Sequence, residues 1–165
     1  LITFLLVISN ALDGFANAAE ALIGEAIGRG SKRRFKAVFA SALRWSLWGA
    51  LLLTIGFVLG GRWLISLLTG IEEVQTTAWQ YLPWLWMLPF AAVWSYLLDG
   101  VFIGATRTRE MQDTMLFSAL GVFLPVWWLT TGWGNHGLWL ALISLMLARA
   151  GSMGWLCWRY TRQDV

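Results

Sequence analysis

Asn10, Asp13, Asn17 and Glu20 are the residues of this chain whose types and spacing most clearly invite chemistry. They lie three, four and three residues apart inside "ISNALDGFANAAEALIGEA", a stretch otherwise built of apolar and small side chains. At 3.6 residues per turn they share one helical face, with Asp13 and Glu20 nearly eclipsed and about 10 Å apart along the axis. Each acid at the centre of a bilayer costs roughly 2.5–3.5 kcal/mol on the insertion scale, so a pair of them belongs against protein or water rather than lipid. Two readings follow. The stripe lines a wet cavity that handles ions, protons or a cationic substrate, or it is polar glue between packed helices. Glu25 falls off the stripe, beside the basic loop, as a surface partner for Arg29.

A second acid, Asp99 in "WSYLLDGVFIGATRTRE", sits a few residues inside an apolar run. It is either a proton- or cation-coupling carboxylate or one half of a salt bridge to a nearby arginine such as Arg107. Arg149 interrupts "LISLMLARAGSMGW" too deep to snorkel fully to an interface, so it calls for a carboxylate partner. Counting residues from the basic ends of the helices sets Glu20 at a similar depth, and the expected ion pair is Glu20–Arg149. Arg44 reads as a snorkelling interface anchor, while His136, Cys157 and the five methionines read as structural.

The elements that carry these side chains must be transmembrane helices. The chain is 58% hydrophobic and only 13% charged, about half the charge of an average soluble domain. That leaves too little charge to clothe a soluble core of this length. Five apolar segments approach the ~20 residues that cross a bilayer: about 2–28, 38–60, 79–105, 114–131 and 137–158. A short amphipathic piece follows the second. The runs are continuous and too long for barrel strands, so the expected fold is all-α, a polytopic transmembrane bundle. Thirteen Trp and nine Phe fit aromatic belts at the interfaces.

Loop charge sets the expected orientation. "RGSKRRFK", "RTRE" and "RYTR" are basic, whereas "GIEEVQTT" and "TGWGNHG" contain no Lys or Arg. The positive-inside rule puts the three basic stretches, and the C-terminus, in the cytoplasm. Pro83, Pro89 and Pro125 fall inside the third and fourth segments, where each removes a helical hydrogen bond. "GEAIG", "GFVLG" and "GVFIG" repeat the small-xxx-small spacing that lets helices approach closely.

Other classes find little support. One Cys and one His exclude an intrachain disulfide and Cys- or His-rich metal sites, so no metal site, cofactor or catalytic residue is expected. No Walker loop, H-E-x-x-H, G-x-S-x-G or dinucleotide fingerprint occurs. The net charge of +3 resides in short loops and calls for no nucleic acid. An intramembrane enzyme would need a nucleophile or second base beside Asp13 and Glu20, and none is evident. A non-catalytic assembly subunit stays open. The chain opens on Leu1 inside an apolar run, which reads as a fragment of a longer protein.

"LDGFANAAEALIGEAIGRG" and "WSYLLDGVFIGATRTREMQDTM" resemble the multidrug and toxic compound extrusion (MATE) family, DinF branch, and the likeness extends through residues 67–89 and 134–154. The resemblance implies that residues 1–165 are a partial C-terminal lobe, helices eight to twelve of a twelve-helix exporter with two six-helix lobes. It implies a multi-pass protein of the bacterial inner membrane that exchanges H+ or Na+ for organic cations and other amphipathic compounds by alternating access. Its partners would be such small molecules, the lipid bilayer and the missing N-terminal lobe. In a related branch a helix-ten carboxylate takes part in cation coupling, and Asp99 occupies the matching place. In the DinF branch the coupling aspartate lies in the first helix, outside this chain. Related exporter-type folds flip lipid-linked precursors, a cargo that an arginine-rich cavity would favour over the acidic stripe seen here.

Overall fold

A computed structural model describes residues 2–163, with side chains through Tyr160, and among them every regular element is helical. Helix α1 spans Ile2–Gly28, α2 Lys32–Leu68, α3 Glu72–Gly104, α4 Thr108–Ser118, α5 Leu124–Leu129 and α6 Asn135–Gln163. Four of them, α1, α2, α3 and residues Asn135–Tyr160 of α6, are long and apolar enough to cross a membrane. The expected fourth span, residues 114–131, differs. It belongs to a helical run in three pieces, α4, a π-helical segment Ala119–Phe123, and α5. Pro125 explains the break, because it has no N–H for the carbonyl four residues earlier, and a π turn absorbs the lost register. Residues 61–68 form no separate amphipathic piece but continue α2, and α3 begins at Glu72, seven residues before the expected start.

Helix α3 is the axis of the bundle, packing against α1, α2 and α6. Its buried residues include Leu85, Leu88, Ala92 and Val93, which join Ile8 and Leu12 of α1, Ala50 and Phe57 of α2, and Ile143 of α6 in one core. Both prolines of α3 lie inside the helix. Near Pro89 the backbone gains an outside partner, since Thr54 Oγ1 donates to the Trp86 carbonyl at 3.1 Å and Trp86 Nε1 donates to the Phe57 carbonyl at 3.3 Å. Trp45, Trp48, Leu52, Ile55, Leu59 and Trp63 of α2 remain exposed, an apolar ridge that suits hydrocarbon and not water.

Of the three small-xxx-small motifs, "GVFIG" makes the closest approach. A Cβ on Gly100 would collide with the Ala16 carbonyl oxygen, and one on Gly104 would stand 2.5 Å from that of Glu20. Helices α1 and α3 therefore touch backbone to backbone along one turn, which only glycine permits. Gly28 and Gly56 face open space.

Helices α1 and α3 end in the same kind of cap. Gly30 (φ +61°) donates to Ile27 and Ser31 to Ala26, while Thr106 (φ +58°) donates to Ile103 and Arg107 to Phe102. These are paired C-terminal capping bonds that need a left-handed residue after the helix. Glycine fills the position in one, and a β-branched threonine, strained there, fills it in the other.

Candidate functional site

Asp99 and Arg149 meet between α3 and α6. Arg149 Nη2 donates to both carboxylate oxygens of Asp99 at 2.7 Å, and the two side chains are only 18% and 11% exposed. One turn before Asp99, the fully buried Ser95 Oγ donates to the Met146 carbonyl at 2.7 Å. The two contacts fix α3 and α6 side by side with a common direction, residue 95 level with 146 and 99 with 149. Arg149 Nε is buried with no acceptor among the described residues, so the guanidinium keeps a spare donor.

Arg149 is thus ion-paired as its depth demanded, but with a different acid from the one expected. The Glu20–Arg149 pairing fails because helix ends are not at one depth. Helix α6 continues to Gln163, five residues beyond the expected end of its span, so counting back from that end misjudged the level of Arg149. Arg107 is not the partner of Asp99 either. It lies 3.8 Å from Glu110 and stacks over the Tyr160 ring at 3.5 Å, and Tyr160 donates to Glu110 at 2.6 Å. Glu25 does bind Arg29, at 2.8 Å, and also Arg34 at 3.0 Å.

Helix α1 packs through Phe4, Ile8, Leu12, Ala16, Ala19 and Ile23, a face roughly opposite the polar stripe. Asn10, Asp13 and Asn17 are consequently exposed and Glu20 half-buried. The stripe is not sealed into helix packing within this chain. Asn10 turns its amide back onto its own helix, donating to the Leu6 carbonyl at 2.8 Å. Among the described residues no hydrogen bond or ion pair ties up Asp13, Asn17 or Glu20. The glycine contact sets the edge of the stripe alongside α3, and Asp13 lies near enough to Asp99 for its charge to act there. Sequence spacing missed Ser95, and it missed Tyr96, whose hydroxyl donates to Ser9 Oγ of α1 at 2.8 Å. The available signal was that Ser95 and Asp99, four apart, share one face of α3.

Toward the other end, Trp84 Nε1 donates to His136 Nδ1 at 3.0 Å, and the Tyr81 ring lies tilted at 46° against the imidazole with centroids 4.7 Å apart. That joins α3 to the start of α6 and gives the lone histidine a structural partner. No group of three or more His, Cys, Asp or Glu side chains suited to a metal occurs among the described residues.

A helical membrane bundle that buries one charge pair and turns a second set of polar groups away from its own core has the features of a multi-pass transport protein. The comparisons with known proteins agree. The MatE family model matches residues 1–129, and the chain belongs to that family of transporters, which are not enzymes. Over 163 residues the chain is 42% identical to DNA damage-inducible protein F of Escherichia coli (strain K12). That alignment takes in 98% of this chain but 35% of the relative, so the chain spans about a third of the relative's length. No solved structure matches.

Proposed function

We propose that the full-length protein is an antiporter that uses H+ or Na+ to export organic cations and other xenobiotics across the bacterial inner membrane by alternating access. In this reading residues 1–165 form part of the C-terminal lobe, equivalent to helices eight to twelve, with the C-terminus in the cytoplasm. Asp13, Asn17 and Glu20, with Asn10 at the head of the stripe, form the wall that this lobe presents to the cavity shared with the N-terminal lobe. Asp99 is the titratable group behind that wall.

The observation that carries the reading is the placement of the stripe: polar groups outside the helix packing, flanking a buried charge pair. Acids at such depth are tolerable only where water or a polar surface meets them. Charge selects the cargo. Because Asp99 neutralises Arg149, Asp13 and Glu20 leave the face net negative, which favours cationic substrates over anionic lipid-linked precursors. The test is ethidium efflux from cells carrying the full-length gene, at varied pH and sodium. Replacing Asp13 by Asn together with Glu20 by Gln should abolish extrusion while membrane-inserted protein is retained at the parental level. Loss of folding or of partner retention instead would assign the stripe to assembly and overturn the transport role.

A further inference from the structure

The end of the bundle that carries the basic loops holds a cavity of about 550 Å³ whose lining includes none of the polar stripe of α1. It lies where the capped ends of α1 and α3 meet the last turns of α6. Ile27, Phe35 and Phe102 give it apolar lining, Lys32 and Arg107 give it positive charge, and Cys157 and Tyr160 come from α6. The two capping turns decide its electrostatics. Carbonyls that would otherwise end α1 and α3 unpaired, and repel an anion, are bonded by Gly30, Ser31, Thr106 and Arg107. The same turns open α2 and α4, so two helix N-termini begin beside the cavity at Lys32 and Thr108. Among the described residues the balance of local charge is positive. Arg29 and Arg34 share the single acid Glu25, and Lys32, Arg33 and Lys36 add three more cations on the same loop and first turn of α2. Glu110 is one acid facing Arg107, and it also accepts from Tyr160.

We infer that this cavity binds an anionic phospholipid, its phosphate held by Lys32 and Arg107 and the start of an acyl chain laid along Ile27, Phe35 and Phe102. A purely anionic solute would gain nothing from those aromatic walls, and a neutral lipid nothing from the cations. A basic pocket between spans at the membrane surface fits an anionic headgroup by charge and by position. The volume falls within the range of small-molecule sites. The site is separate from the cavity wall of α1, so its failure leaves the export reading untouched.

The test uses the purified full-length protein in lipid nanodiscs and reads N-ethylmaleimide labelling of Cys157, resolved by peptide mass. Discs of phosphatidylcholine are compared with discs containing one quarter phosphatidylglycerol. Phosphatidylglycerol is expected to slow labelling about fivefold or more, the size that one surface cation contributes to anionic-lipid attraction. Lys32→Gln, at an exposed position, should remove that protection. Arg33→Gln, which takes the same charge from a side chain outside the cavity lining, should keep it. Millimolar inorganic phosphate in phosphatidylcholine discs should protect nothing. Equal labelling in the two lipids overturns the proposal. So does equal loss of protection in Lys32→Gln and Arg33→Gln, which would mean diffuse surface attraction. Protection by phosphate alone would mean an anion site and not a lipid site.

Discussion

Replacing Arg149 by alanine removes one half of a charge pair of which four-fifths or more is out of solvent, and leaves Asp99 facing the space the guanidinium filled. Breaking a buried pair from one side typically costs about 3–5 kcal/mol. The carboxylate has an escape, because it can take a proton. At pH 7 that costs about 4 kcal/mol relative to a free aspartate that titrates near 3.9, and at pH 5 only about 1.5 kcal/mol. The loss in Arg149→Ala is therefore capped near 4 kcal/mol at pH 7 and shrinks by up to about 2.7 kcal/mol on acidification to pH 5. The sign follows from linkage. In the variant the folded state binds a proton at Asp99 that the unfolded state, above pH 4, does not, so stability falls as pH rises. Equilibrium unfolding in mixed micelles, followed by tryptophan fluorescence at pH 5, 6 and 7, measures this directly. Asp99→Asn with Arg149→Met should recover most of the stability, because no unpaired charge remains. A loss under about 1 kcal/mol in Arg149→Ala, with no dependence on pH, would refute the view that the pair is buried and mutually dependent.

Two further outcomes follow from the backbone. Gly100→Ala should cost about 1–3 kcal/mol, because its methyl would meet the Ala16 carbonyl and push α1 from α3, whereas Gly56→Ala, which faces open space, should be neutral or gain up to about 1 kcal/mol. The same micelle unfolding assay separates them, and equal behaviour would argue against backbone contact. Thr106→Gly should raise stability by up to about 1 kcal/mol, since glycine takes the left-handed cap without the strain a β-branched residue carries there, less the extra freedom glycine brings to the unfolded chain. A thermal shift in the opposite direction would show that the Thr106 hydroxyl, which donates to the Ala105 carbonyl at 2.7 Å, outweighs the strain.

Length and hydropathy made α1, α3 and α6 legible, because crossing hydrocarbon demands a run of apolar residues whatever the neighbours are. The same criterion ended α2 too early, since a helix does not stop where its hydropathy dips. It gave the fourth segment too smooth a form, because a π turn beside Pro125 leaves no trace in composition. Within the site, the stripe on α1 needed only the 3.6-residue period, and its position outside the core follows from the apolar face opposite. The family, too, was readable in the motifs around Asp13 and Asp99.

Which acid Arg149 meets was another matter. Sequence alone established that a deep arginine requires a carboxylate, since burying an unpaired charge is prohibitive, but counting residues from the helix ends picked Glu20 where the structure has Asp99. The choice belongs to the register of α3 against α6, fixed by Ser95 on the Met146 carbonyl and by side-chain packing between those helices. The same holds for the motif "GVFIG" against its two look-alikes: spacing grants the capacity for close approach, but only the packed bundle puts a neighbour's backbone there. Local demands such as burial, charge compensation and period act within one helix and can be read along it. Pairing depends on the relative shift of helices distant in sequence, which is set by how all their side chains interlock at once.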